Sequence, residues 1–276
     1  MIQFVAESGG PESLDAFLRD LLVADWTSPG GLWRLSADLT LADLAEAEFF
    51  LNARLFLTVL TEEDGAPTTA TGNLNRVFVG RMFDRLKLPS VSRESIRRCC
   101  KVLNEHDLWA LHRARIISEC ARLVARRKKR FHVTKAGRAL LPDDQAGALY
   151  RALFVAYFRR FDLRYLQLRD VPGIQATVAA ILWRLDTVAR DWTPVPGLAQ
   201  RILLPRVLDE MHEAMTYPYD TEEWILISYL LNPLLDFGLI ETKKKDEWPG
   251  VTEKDDIRVT GLWQKFIRFA WSGDAA

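Results

Sequence analysis

Cysteine is almost missing from this 276-residue chain, which has three: Cys99, Cys100 and Cys120. An odd number with two adjacent builds no disulfide framework, and the spacing lacks the paired Cys-x-x-Cys of a structural zinc site. The three read as buried, reduced thiols, and the expected compartment is a reducing cytoplasm. No run of 18 or more apolar residues occurs, so no membrane-spanning helix and no membrane partner are expected. The start, Met1-Ile2-Gln3-Phe4-Val5, reaches Glu7 without a basic stretch or a long apolar core, so no secretory signal is expected.

Catalytic signatures are missing as well. The sequence holds no Gly-x-Gly-x-x-Gly, no Walker-type Gly-Lys-Thr, no Gly-x-Ser-x-Gly and no His-Glu-x-x-His. Histidine is limited to His106, His112, His132 and His212. One cluster, Asp209-Glu210-Met211-His212-Glu213, carries groups suited to a metal or to acid–base work. With no second histidine near it, that cluster reads as a solvated helix face. The expectation is a non-enzymatic protein with no catalytic residue, no metal ligand and no cofactor.

What is present is ample apolar material: 49% of residues are hydrophobic and 27% charged, enough to bury a core and to exclude disorder as the main state. The net charge of zero conceals a segregation. Residues 1–64 carry twelve acids and three bases, whereas residues 81–138 carry seventeen bases and five acids. Such asymmetry marks either a nucleic-acid face or an acidic segment lying against a basic one.

The 3.6-residue apolar period and helix-start signals predict helices from Leu14, over Leu39–Leu60, Thr69–Leu86, Ser92–Leu103, Asp107–Leu123, Leu149–Leu168, Ile174–Arg190, Leu198–Met215 and Trp224–Ile240, the last kinked or interrupted near Asn232-Pro233, with a final helix over Gly261–Trp271. Val124 to Val133, apolar at its flanks and basic at its tip, predicts a β-hairpin. The fold class is therefore mainly α, with winged-helix-like modules: an acidic helical segment over residues 1–40, a winged-helix-like domain over 41–142, and a helical domain over 143–276 with a second, degenerate module.

That second module rests on a repeat. Leu123-Val124 leads through Arg126-Arg127-Lys128-Lys129-Arg130 to Phe131-His132-Val133-Thr134. Likewise Leu239-Ile240 leads through Lys243-Lys244-Lys245 to Ile257-Arg258-Val259-Thr260, with a tip ten residues longer. Each reads as helix, basic-tipped hairpin, then a threonine that caps the next helix. Thr69-Ala70-Thr71-Gly72 is a weaker echo of Thr134 to Gly137.

Thr69-Ala70-Thr71-Gly72-Asn73-Leu74-Asn75 together with Arg126 to Gly137 resembles an uncharacterised bacterial plasmid ORF-three-like family, over roughly residues 40–165. The Val133-Thr134-x-x-Gly137 exit is also similar to that of multiple-antibiotic-resistance-type winged-helix repressors, which bind DNA as dimers. The first resemblance implies no activity; the second implies a fold and a DNA partner.

On that reading Arg113, Arg115 and Arg122 belong to the reading helix, and Arg126, Arg127, Lys128, Lys129 and Arg130 form a wing that touches phosphates of duplex DNA. The apolar Leu108, Trp109, Leu111, Ile116 and Ile117 leave a core helix as the other reading of 107–123. The alternative is a protein-interaction or scaffold module whose basic tip is merely solvated. Tyr150, Phe154, Tyr157, Phe158, Phe161 and Tyr165 follow the helical core period, and the same aromatic stripe, or the Trp263–Trp271 helix, offers a homodimer interface.

Overall fold

The computed structural model describes residues 14–28, 30–167, 169–245 and 248–270. Helix α1 (Leu14–Val23) and strand β1 (Trp33–Leu35) precede the first of two runs of elements that share one order. That run is α2 (Glu48–Glu62), β2 (Ala66–Pro67), α3 (Arg76–Arg85), α4 (Ser90–Cys99), α5 (Trp109–Cys120), β3 (Val124–Arg127), β4 (Arg130–Val133) and α6 (Lys135–Ala139). Helix α7 (Ala146–Val155), prolonged by a π-helical turn over Ala156–Arg160, and α8 (Pro172–Ala176) follow. The second run is α9 (Val178–Val188), β5 (Thr193–Pro194), α10 (Leu198–Ile202), α11 (Pro205–Ala214), α12 (Glu222–Leu226), a π-helical turn over Ile227–Leu231, α13 (Asn232–Asp236), β6 (Ile240–Lys243), β7 (Asp256–Val259) and α14 (Gly261–Phe266). Strand β8 (Ile267–Phe269) ends the described chain. The protein is mainly α-helical, with small antiparallel sheets of two or three strands.

The two runs build the same sheet. The strand orders are β2-β4-β3 and β5-β7-β6, antiparallel throughout. Pro67 stands opposite Arg130, and Pro194 stands opposite Asp256 at the matching place. Proline lacks an N–H, so each short strand belongs at a sheet edge. The helix before each hairpin ends in the same Schellman turn. The Leu123 N–H donates to Ser118 O at 2.8 Å, and the Leu239 N–H donates to Leu234 O at 2.9 Å. The repeat legible at the two hairpins thus extends backwards through the preceding helices to α2 and α9.

Several expected helix limits are corrected. Residues 39–47 are not helical, and α2 begins at Glu48. The helix expected from Thr69 begins at Arg76, because Asn75 accepts from the Phe78 N–H at 2.9 Å and caps it there; Thr69 instead closes a loop, accepting from the Asn73 N–H at 3.1 Å. Thr177 breaks the expected 174–190 helix into α8 and α9, and Pro205 divides α10 from α11. Just before Asn232-Pro233 the α-helix is interrupted by the π turn over Ile227–Leu231 and resumes as α13. The last helix stops at Phe266 and turns into β8, while Trp271 lies outside the described residues, as do Glu7 and Glu12 of the acidic segment. The cysteines are free thiols, but Cys99 is exposed and the other two only partly covered.

One continuous apolar core serves both runs. Its centre is α7 and its π turn, whose Tyr150, Phe154, Tyr157 and Phe158 are buried and surround Phe237, with ring centroids 5.5–5.8 Å away. Phe49 of α2 reaches the same ring at 4.9 Å, and the Tyr150 hydroxyl donates to Phe237 O at 2.8 Å. The aromatic stripe is therefore spent inside the chain, leaving only Tyr165 exposed, and Trp263 is fully buried as well. The stripe and Trp263 are thus not free to form the expected dimer surface, while Trp271, at the far end of the other one, lies outside the described residues. The N-terminal segment closes the second run: Phe17 meets Trp183 edge-on at 5.4 Å, and β1 pairs with β8.

Candidate functional site

The hairpin β3–β4 turns in two residues. Arg127 pairs with Arg130, so Lys128 and Lys129 are the turn, with φ of 48° and 58°. Positive φ at both central positions is a type I′ turn, which normally takes Asn-Gly because a Cβ is disfavoured there. Arg122 at the end of α5 is also left-handed, φ 60°, where the second run has Gly238 at 71°. Three of the four non-glycine residues with positive φ among the described residues are thus bases of this one hairpin.

These bases face solvent. Arg122, Arg126, Arg127, Lys128 and Lys129 are exposed, and none has an acidic partner among the described residues. Arg126 lies across Gly72 of the loop that follows β2. That loop is tied to the turn by the Thr68 N–H, which donates to Lys129 O at 2.9 Å. Arg130 differs: its guanidinium donates to Gly65 O at 2.8 Å and holds β2 in place. Gly65 itself is left-handed at φ 93°, and a Cβ there would sit 2.7 Å from the His132 ring. On the other flank, Arg127, Lys128, Lys135 and Arg138 line a notch of about 500 Å³ with His132 and no acid. Lys135 and Arg138 open α6, and the run of bases in the sequence stopped short of them.

Arg113 and Arg115 lie elsewhere. Arg113 is largely covered and forms an ion pair with Asp236 of α13 at 2.5 Å. Burial works against its charge, but Asp236 prevails and keeps it firmly protonated. Arg115 donates to the buried Glu105 at 2.5 Å and also pairs with Glu119. Glu105 further accepts from His112 Nδ1 at 2.8 Å and from the Leu74 N–H at 2.5 Å. Burial pushes the Glu105 carboxyl up, but these donors and the Arg115 charge outweigh it and hold it below the usual carboxylate range. With α2 on one side and the α7 π turn against it, α5 is a core helix that presents only Trp109 as exposed.

The exposed basic helix is α4, which buries no residue and presents Arg97, Arg98 and Lys101 at or just beyond its end. It follows α3 across the short Leu86–Pro89 turn, and its scarcity of apolar residues was the available signal. By contrast, the bases of α3 and just beyond it are compensated by acids that lie before and at the end of α2, outside residues 1–40. Glu63 pairs with Arg81 at 2.5 Å, Glu62 with Arg85 at 3.7 Å, and Glu46 with Lys87 at 3.6 Å.

The second hairpin has the same fold and a different electrostatic character. Lys244 pairs with Asp255 at 3.1 Å, Lys245 with Asp256 at 2.8 Å, and Arg258 with Glu241 at 2.7 Å. Residues 122–138 hold eight bases and no acid, whereas residues 243–258 hold five of each. His212 of the acidic cluster turns to Glu222 at 2.5 Å rather than to Asp209, and no group of three or more His, Cys, Asp or Glu is placed to hold a metal ion among the described residues. Nor is any helix among the described residues long and apolar enough to cross a membrane.

Residues 45–148 match the family model of the Y4jL N-terminal domain, inside the 40–165 span of the plasmid-family resemblance and extending from the entry to α2 into the first turn of α7. No curated protein and no solved structure matches the chain.

Proposed function

We propose that this chain is a non-enzymatic DNA-binding protein, and that α2 to β4 form a winged-helix module whose wing is the β3–β4 hairpin. The observation that carries this reading is that Arg122, Lys128 and Lys129 stand in left-handed positions that favour glycine or asparagine, unpaired, on the one hairpin without an acid. Strain of that kind persists where the side chain is needed. Arg126, Arg127, Lys128 and Lys129 would neutralise phosphates, with Lys135 and Arg138 on the flank, and α4 rather than α5 would present Arg97, Arg98 and Lys101 to the duplex.

The test is fluorescence anisotropy with random-sequence duplex DNA at low and near-physiological salt. About four phosphate contacts give a slope of log affinity against log salt near −4. Replacing Arg126, Arg127, Lys128 and Lys129 with serine abolishes binding at the higher salt and leaves Tm unchanged or higher. Affinity unmoved by that change removes the wing from the site. A protein-partner reading draws on the groove of about 840 Å³ lined by Val91, Trp109 and Trp248, all exposed, and becomes the better one if no duplex binds even at low salt.

A further inference from the structure

Strands β1 and β8 pair with Trp33 opposite Phe269, Arg34 opposite Arg268 and Leu35 opposite Ile267. Trp33, Leu35 and Ile267 are buried, so the pleat sends Arg34 and Arg268 outward together on the solvent face. The flanking bonds, Ser36 N–H to Phe266 O at 2.8 Å and Ala270 N–H to Leu32 O at 2.7 Å, fix that register on both sides. Like charges placed directly opposite across a ladder destabilise it, and among the described residues neither arginine has an acidic partner.

Two further bases converge there. Arg151 of α7 lies with a guanidinium nitrogen 3.5 Å from Leu35 O, and Lys265 stands at the rim, paired to Asp43. With Asp38 as the one acid in the lining, they enclose a notch of about 350 Å³. Arginine forks match phosphate oxygens two at a time, and an anion between two opposed arginines converts their repulsion into attraction.

We propose that this notch binds a phosphate group between Arg34 and Arg268, with Arg151 behind it. All four bases lie outside residues 45–148, so the site is a property of this chain beyond the matched domain. It does not depend on the hairpin reading. The phosphate belongs either to a small phosphorylated molecule or to a nucleic-acid backbone.

The test is thermal unfolding of the full chain in chloride and in inorganic phosphate or pyrophosphate at matched ionic strength. Phosphate raises Tm of the unaltered protein by about 2–4 °C at saturation. R34Q/R268Q is expected to unfold about 2 °C above the unaltered protein in chloride, since it removes the repulsion, and to lose the phosphate response. A structural role for the arginines predicts the opposite sign in chloride. The hairpin variant with Arg126, Arg127, Lys128 and Lys129 replaced by serine keeps the phosphate response. If duplex DNA also stabilises that variant, and R34Q/R268Q removes the effect, the phosphate is a nucleic-acid one; if only the free anions act, it is a small molecule. No response to either anion, or an equal response in R34Q/R268Q, overturns the proposal.

Discussion

Thr134 and Thr260 make the same three hydrogen bonds in two halves of the chain. Each N–H donates to a leucine carbonyl, Leu123 or Leu239, at 2.9 and 3.0 Å. Each hydroxyl donates to the residue before that leucine, Arg122 at 2.9 Å and Gly238 at 2.7 Å. Each hydroxyl oxygen then accepts from the first turn of the next helix, from the Gly137 or Trp263 N–H. One side chain thus joins a helix end, a strand end and a helix start. T134A and T260A are each expected to cost about 1 kcal/mol in urea unfolding, while the serine variants lose little. Equal losses for alanine and serine would mean that the methyl group, not the hydroxyl, matters.

Lys128 and Lys129 set stability against binding. Asn-Gly suits a type I′ turn, so K128N/K129G is expected to raise stability by about 1–2 kcal/mol. If the turn touches DNA, the same change weakens binding and flattens the salt slope by about 2, one unit for each lost phosphate contact. A stabilised variant with unaltered salt dependence would leave the two lysines without a role in binding.

The hairpin, its basic tip and its repeat were legible because strand alternation, a polar tip and a capping threonine are all local signals. Helix limits were less so: Asn75 and Thr69 are both competent caps, and only the pairing of β2 with β4, from a distant part of the chain, decides which is used. The site was half legible. Arg126 to Lys129 lie where a contiguous basic run belongs. Arg113 and Arg115 read as surface bases, yet Asp236 and Glu105 take them inward; Glu105 lies ten residues before Arg115, but Asp236 comes from a distant part of the chain. The packing of α7 against α5 likewise could not be seen from α5 alone.

The second hairpin supplies an internal control. Lys244 and Lys245 are held by Asp255 and Asp256, and Asp255 also accepts from the Lys245 and Thr252 N–H groups at 3.0 and 2.9 Å. Burial raises the Asp255 carboxyl, but these bonds prevail and keep it ionised. K244S/K245S should therefore cost about 1–3 kcal/mol in unfolding, because the buried carboxylate loses its cation, and should leave any DNA affinity within about twofold, since those charges are already compensated. A loss of binding as large as that of the first-hairpin variant would mean that both hairpins contact the duplex.

Glu105 ties the loop after β2 to α5 through Leu74, His112 and Arg115, and its carboxyl is held below the ordinary range. A depressed carboxylate contributes stability that is fully present above its unfolded pKa, about 4.3, and is lost as pH falls through the folded value. E105Q keeps the shape but leaves Arg115 with Glu119 alone, so it is expected to cost about 3 kcal/mol at pH 7. Below about pH 4 the gap between E105Q and the unaltered protein should narrow, because protonation removes the same charge from the native network. Urea unfolding at pH 7, 5 and 3 measures the gap directly. A constant difference across that range would show that Glu105 acts by shape and hydrogen bonding rather than by charge.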